Sequence, residues 1–190
     1  MKKIFTIAAM VVTTLAFAQD NTTGQVDSSK KSGTISVRGM YSEPSQFGLS
    51  YEMPSFLSKG GSTVNVVNVS YGTMNYEIDG TDFDVDGQGF AIELGSKSFY
   101  NKANKYEGFY TANYLSYGNI KFDKDGFDGT YSYFSFFSPE VGYKIQLGDF
   151  SIDPFIGITW KIEVKGKGDI DNKNVEEWTP RAGIKIGYSF

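Results

Sequence analysis

The residues Asp82 to Glu93, DFDVDGQGFAIE, carry carboxylates at the spacing of an EF-hand calcium loop, D-x-[DN]-x-[DN]-G-x₅-E. In an EF-hand that loop lies between two helices. The residues that follow do not fit a helix, because Phe90, Ile92 and Leu94 alternate with smaller or polar residues, which is the period of a strand. We therefore interpret the stretch as an acidic connection between two strands, followed by an inward-pointing Glu93.

This acidic connection contains Asp82, Asp84 and Asp86, and two later segments, 120–129 and 165–174, are also rich in aspartate. Like charges in neighbouring loops repel one another and attract divalent cations. We predict that Asp82, Asp84 and Asp86 bind Ca²⁺ or Mg²⁺ weakly, in about the millimolar range of extracellular sites. The alternative is a solvated acidic rim that binds nothing and keeps the protein soluble.

The sequence contains no histidine and no cysteine. This absence excludes a histidine general base, a disulfide bond and a thiolate metal site. Hydrolysis by paired carboxylates remains open for Glu93, Glu140 and Glu163. Buried carboxylates are more often partners of buried bases, so we predict that the protein is not an enzyme and has no cofactor other than the weak cation.

The elements that position these groups are strands. In the last segment, WTPRAGIKIGYSF, the residues Ile184, Ile186, Tyr188 and Phe190 share an apolar face, and the opposite face carries small and charged residues. The two preceding segments repeat this arrangement. Small and charged residues suit a narrow polar lumen, and a tilted strand needs about 9 to 11 residues to cross a bilayer.

The pattern predicts an all-β fold, an eight-stranded antiparallel up-and-down transmembrane β-barrel, because closure removes the strand edges that a membrane excludes. The predicted strands are 34–42, 45–53, 63–77, 87–98, 106–119, 130–147, 150–165 and 175–190. The connections after strands three, five and seven are long and acidic and are predicted at the outer rim. The facing of strand 106–119 stays open, since both of its faces carry aromatic residues.

Alternation also places charged side chains of both signs inside the predicted barrel. The inward residues are Arg38, Glu52, Glu93, Lys97, Glu140, Lys144, Lys161, Glu163, Arg181 and Lys185. An eight-stranded lumen is just wide enough for side chains to fill it. We predict a plug of ion pairs in which Arg181 and Lys185 pair with Glu140 or Glu163. The alternative is a narrow gated path for ions.

The beginning of the chain has a basic start, an apolar stretch and a small-residue site at Ala16-Phe17-Ala18, which together indicate a signal peptide at 1–18. Residues 19–32 are predicted to be a flexible leader, and 33–190 the barrel domain. Loss of Lys2 and Lys3 leaves 16 basic and 22 acidic residues, a formal charge of −6. This charge argues against a nucleic-acid partner.

The signal peptide, the repeated P-x-x-G strands (SPEVG, DPFIG and TPRAG) and the closing AGIKIGYSF resemble the small outer-membrane β-barrel proteins of Gram-negative bacteria, the family related to the membrane domain of OmpA. The resemblance covers essentially the whole mature chain. It implies that Ile184, Ile186, Tyr188 and Phe190 form the signal that the outer-membrane assembly machinery recognises. It also implies contact with outer-membrane lipid and lipopolysaccharide.

The sequence therefore predicts a monomeric, integral protein of the bacterial outer membrane, exported through a cleaved signal peptide. A structural or surface-interaction role is the first interpretation of its function, and a small porin-like channel is the second. The third is a soluble lipocalin-like ligand carrier, which would bury its apolar faces inward.

Overall fold

The computed structural model describes residues 33–55, 62–77, 84–100, 106–124, 127–168 and 175–190, and within them the regular elements are strands. The strands are β1 (Thr34–Tyr41), β2 (Ser45–Pro54), β3 (Thr63–Glu77), β4 (Asp84–Phe99), β5 (Gly108–Lys124), β6 (Phe127–Phe137), β7 (Pro139–Leu147), β8 (Phe150–Gly168) and β9 (Trp178–Ser189). Among these described residues there is no helix long and apolar enough to cross a membrane.

The strands form one antiparallel sheet that closes on itself. Strands β1 to β5 pair in chain order, as do β8 and β9, while β6 and β7 both lie between β5 and β8. The first strand pairs with the last, Thr34 opposite Ser189. Followed through β7, the registers shift the chain by ten residues in one turn of the barrel. Such a stagger tilts the strands by about 35–45° and leaves an interior that side chains fill.

The predicted sixth strand, 130–147, is interrupted. The structure divides it into β6 and β7 at Ser138, and both parts pair with β5 on one side and β8 on the other. The register shifts between Phe134 and Phe137, so that Phe136 and Phe137 are both exposed outside. This is a β-bulge next to Pro139, whose missing N–H breaks the ladder.

At the upper rim of the barrel, opposite the termini, several strands are longer than predicted. The segment 120–129 was predicted to be a long connection, but β5 continues to Lys124 and β6 starts at Phe127, with Asp123 opposite Asp128. Similarly, β4 already begins at Asp84. Strand pairing therefore extends further toward this rim than predicted. The apolar pattern did not indicate these added residues, because they are polar on their outward side.

The outward face of the barrel is an apolar band. A ring of aromatic side chains encircles the barrel at each end of this band. The upper ring includes the paired rows Phe47–Tyr71–Phe90 and Trp160–Trp178, and the lower ring includes Phe150–Tyr188 and Phe109–Tyr143. On β8 ten residue steps separate Phe150 from Trp160. At about 3.3 Å per residue and a tilt of about 40°, they span about 25 Å.

The interior contains an upper and a lower apolar cluster as well as charged side chains. The upper cluster consists of Met74, Tyr76, Val85, Ile120, Phe122, Tyr131, Tyr133 and Val175. The lower cluster consists of Met40, Val64, Val66, Phe99, Tyr110, Ala112, Tyr114 and Phe155. Glycines make room for the rings: a Cβ at Gly95 would lie 2.3 Å from the Tyr114 ring, and one at Gly118 would lie 2.2 Å from the Tyr133 ring.

Candidate functional site

The candidate site is the charged layer inside the barrel, which the inward positions of six strands supply. Strand alternation turns these side chains away from the apolar band and into the lumen. The charged residues with at most 3% exposure are Arg38, Glu52, Glu93, Lys97, Glu140, Lys144, Asp153, Lys161, Arg181 and Lys185. Because burying an unpaired charge is costly, their mutual arrangement decides whether the lumen is stable.

Glu140, on β7, is the centre of the first group of contacts. Its Oε2 lies 3.2 Å from Arg181 Nη2 and its Oε1 lies 3.1 Å from Lys185 Nζ. The Tyr114 hydroxyl donates to Oε1 at 3.3 Å, and the Tyr110 hydroxyl oxygen lies 3.2 Å from the same atom. Both cations lie on the inward face of β9, four residues apart. The Glu140 carboxylate therefore joins β7 to β9 and, through the tyrosines, to β5.

Glu93, on β4, is the centre of the second group. Arg181 donates to both carboxylate oxygens, at 3.1 and 3.3 Å, and Arg38 Nη2 lies 2.9 Å from Oε2. Asn68 and Ser116 donate to the same carboxylate at 2.9 and 3.3 Å. Arg181 thus contacts Glu93 and Glu140 at once, and its guanidinium connects strands on opposite sides of the lumen.

A third group lies nearer the lower rim. The two oxygens of Glu52 accept from Lys97 at 2.7 Å and from Lys144 at 2.8 Å. Lys97 also pairs with Asp153, which accepts a 2.6 Å hydrogen bond from Tyr110. The layer is therefore a continuous network of charge-assisted hydrogen bonds, which are the stronger kind in a low-dielectric interior.

Two lumen tyrosines were not predicted. The structure turns Tyr110 and Tyr114 of β5 inward, where Lys97 lies 3.8 Å from the Tyr110 ring centroid and the Arg181 guanidinium carbon lies 5.1 Å from that of Tyr114. Their hydroxyls bond carboxylates while their ring faces contact cations. Sequence alternation did not distinguish the faces of β5, because the outward Phe109 is aromatic as well.

Lys161 lies above the network and contacts the short β1–β2 turn. Its Nζ donates to the Glu43 carbonyl at 2.8 Å and lies 3.9 Å from the Glu43 carboxylate. Pro44 of the same turn is buried, near Gly72. The turn therefore folds over the lumen. Glu163 is half-buried on β8 opposite Tyr133, and the ion pairs of Arg181 and Lys185 described above go to other carboxylates.

The predicted cation ligands are not all in a loop. Asp84 and Asp86 lie on β4, opposite Glu77 and Asn75, and both are exposed on its outward side. Asp82 lies outside the described residues. Within the part of the chain that the structure describes, no three acidic side chains are grouped as metal ligands. The weak calcium or magnesium site stays a prediction, and the interpretation of 90–94 as strand is confirmed.

The residues of the predicted assembly signal lie on the outward face of β9. Ile184, Ile186 and Phe190 are exposed, and the Tyr188 ring packs against Phe150 at 5.5 Å between centroids. The backbone of Phe190 exchanges hydrogen bonds with Gly33, at 3.0 and 3.1 Å. The last residue therefore completes the seam between the first and last strands.

No family model matches this chain, and neither does any curated protein sequence. Among solved structures, the chain resembles the N-terminal β-barrel domain of Pseudomonas aeruginosa OprF, with a TM-score of 0.51, 16% identity, and coverage of 85% of this chain and 98% of that one. This chain has the fold of a small outer-membrane β-barrel. The attachment invasion locus protein Ail of Yersinia pestis, solved with sucrose octasulfate, is also similar, with a TM-score of 0.48, 16% identity, and coverage of 84% and 97%.

The predicted fold class and the stated resemblance are therefore confirmed at the level of the fold. The predicted eight strands correspond to the nine of the structure when β6 and β7 are counted as one interrupted strand. The signal peptide and the leader, 1–18 and 19–32, lie outside the described residues.

Proposed function

We propose that this protein is an integral β-barrel of the bacterial outer membrane with a structural or surface-interaction role. The observation that carries the proposal is the outward apolar band of about 25 Å between two aromatic rings, the height typical of outer-membrane barrels. In a soluble lipocalin-like carrier the large apolar side chains would line the interior. Here Val69, Leu94, Ile156 and Ile186 are among the exposed ones.

The proposal includes a lumen that is closed to solutes. Three observations support it: the carboxylates of Glu52, Glu93 and Glu140 each contact two cations, tyrosine rings fill the space between them, and the β1–β2 turn lies above. The paired carboxylates are engaged by cations on several sides. We therefore propose no enzymatic role for them.

The proposal also covers partners and location. We propose export through the signal at 1–18, recognition of the last strand by the outer-membrane assembly machinery, contact with lipid and lipopolysaccharide, and a monomeric state. The exposed Ile184, Ile186 and Phe190 on β9 support recognition of that strand, since they lie on one outward face.

The test is migration on a gel of outer-membrane extracts, with and without boiling. A closed barrel resists detergent, so the unboiled protein should migrate at a different position from the boiled one. The matched control is a chain with Ile156→Asp and Ile186→Asp, which puts charges in the middle of the apolar band, where they are destabilising in lipid. Recovery in the soluble fraction, with no effect of boiling, would contradict the proposal.

A narrow ion channel is the second candidate, and the sharing of Arg181 between two carboxylates favours it. Arg181 lies 3.1 Å from Glu93 and 3.2 Å from Glu140, so a small movement could shift its pairing from one carboxylate to the other. Conductance of planar bilayers that contain the refolded barrel separates the candidates. The closed lumen predicts no discrete openings in the wild type, and frequent openings only when Glu140→Gln loosens the network.

A further inference from the structure

A polar groove lies on the outside of the upper rim, where β3 extends past the end of β2. In the register of β2 and β3, the pair nearest the upper rim is Ser45 opposite Thr73. Residues Met74 to Glu77 of β3 therefore extend past the end of β2. The groove there has a volume of about 540 Å³, within the range of about 300–1,000 Å³ for small-molecule sites. Five of its lining residues are exposed on the outward face, namely Tyr71, Thr73, Asn75, Asp86 and Gln88.

The groove begins directly above the upper aromatic ring. Tyr71 of that ring forms its lower edge, and the next outward residues on β3 and β4 follow as register pairs, Thr73 opposite Gln88 and Asn75 opposite Asp86. At about 3.3 Å per residue, these pairs lie within roughly 10 Å of the apolar band. In a membrane, this height is that of the polar headgroups and the first sugars.

The side chains of the groove supply both donors and acceptors of hydrogen bonds. The Tyr71 hydroxyl donates to Gln88 Oε1, which leaves the Gln88 amide nitrogen to donate elsewhere. Asn75 Nδ2 donates to Asp84 Oδ2 at 3.4 Å, which leaves its carbonyl oxygen to accept. Thr73 adds a hydroxyl that does both. The existing hydrogen bonds also restrict the rotamers of the amide side chains, so less entropy is lost on binding.

The charge of the groove limits the class of ligand. Of the described residues that line it, none is basic and Asp86 is acidic. Anion sites use Arg, Lys or helix termini. The lysine on the neighbouring strand opposite Gln88, Lys121, is paired with Asp123 at 2.8 Å, so phosphate and sulfate groups are disfavoured beside Asp86. A neutral molecule with many hydroxyls fits, because each hydroxyl is both donor and acceptor and a sugar ring presents C–H groups to an aromatic side chain such as Tyr71.

We propose that this groove binds a neutral hexose unit of a glycan, either in the surrounding lipopolysaccharide or on a separate molecule. The proposal rests on the outer-membrane placement proposed above, which brings the groove to the level of sugars. It assigns Thr73, Asn75 and Gln88 as hydrogen-bonding residues and Tyr71 as the ring that a sugar face contacts.

The test compares the wild type with the double variant Thr73→Val, Gln88→Ala, both refolded as the full mature chain. The control is Thr130→Val, an outward threonine at the same rim on β6, which β5 separates from the β4 side of the groove. In one arm, neutral hexose oligosaccharides are titrated onto barrels in vesicles of lipid A, which lacks the neutral hexoses of full lipopolysaccharide, and binding is followed by NMR saturation transfer. In the other arm, thermal unfolding is compared in vesicles of lipid A alone and of full lipopolysaccharide.

A free glycan as ligand predicts saturation transfer from the wild type and the control, and an affinity about tenfold weaker in the double variant, since two hydrogen bonds are lost. Lipopolysaccharide as ligand predicts that its sugars raise the unfolding temperature of the wild type and the control but not of the double variant. No difference between the double variant and the control in either arm overturns the proposal. Heat-modifiable migration of the same samples shows whether the barrel formed, so a failure of membrane insertion is distinguished from an empty groove.

Discussion

Replacement of Arg181 by leucine should destabilise the barrel more than any single change outside the lumen. Arg181 is 1% exposed, and its guanidinium joins two buried carboxylates, Glu93 Oε1 at 3.1 Å and Glu140 Oε2 at 3.2 Å. Leucine fills part of the volume but supplies no charge and no donor. The two carboxylates would then each retain one cation, Arg38 at 2.9 Å and Lys185 at 3.1 Å.

The magnitude follows from this residual pairing. Removal of one partner from a buried ion pair costs about 3–5 kcal/mol of unfolding free energy, because the other charge is left uncompensated. Since Glu93 and Glu140 both keep a cation, we expect the lower end, about 3 kcal/mol. Glu140→Gln should cost at least as much, because Lys185 loses the carboxylate with which it pairs.

The assay is reversible urea unfolding of the barrel in lipid vesicles, followed by tryptophan fluorescence. The matched control is Lys121→Leu, which removes an ion pair of similar length, 2.8 Å to Asp123, between two largely exposed side chains. Exposed pairs are screened by water and salt, so the control should unfold like the wild type. An Arg181→Leu variant with the midpoint of the wild type would refute the ion-pair network as the support of the lumen.

Three further changes test other parts of the structure. Deletion of Phe190 removes the end of the β1–β9 seam and should lower the heat-modifiable fraction in cells, whereas equal folded yield would count against its role. Gly95→Ala places a methyl group against the Tyr114 ring and should cost about 1–3 kcal/mol in urea unfolding. The Ser138 N–H donates to Asn113 Oδ1 at 3.0 Å, and Asn113→Leu would leave it without this acceptor in lipid, which should lower the urea unfolding midpoint. An unchanged midpoint would exclude this bridge across the strand break.

Asp153, which is 2% exposed, was missing from the predicted inward residues. Alternation predicted the other buried charged side chains, because a closed sheet keeps a period of two along a strand. Arg38, Glu93 and Lys185 lie inside for this reason. It did not predict which carboxylate contacts which cation. Glu93 and Arg181 come from strands that are not neighbours, so their contact depends on the register of several strand pairs and on the width of the lumen.

Two features of the sequence were ambiguous for physical reasons. Aromatic side chains suit both lipid and a lumen full of cations, so the inward Tyr110 and Tyr114 resembled the outward Phe109. The adjacent Phe136 and Phe137 break the alternation, and this phase slip was the available signal for the β6–β7 interruption. The polar ends of β4 and β5 carry little apolar pattern, so the sequence did not indicate that they are strand. They belong to the strands because their backbones pair with those of the neighbouring strands.

The outward apolar band should contact lipid, and the two tryptophans of the chain report on this contact directly. Trp160 and Trp178 stack at 6.0 Å between centroids, at the upper end of the band. Their fluorescence in vesicles with bromine at different acyl positions measures depth. The structure predicts strong quenching by bromine near the headgroups, weaker quenching by bromine at the bilayer centre, and little quenching by aqueous iodide. Quenching by iodide with no effect of brominated lipid would contradict the account.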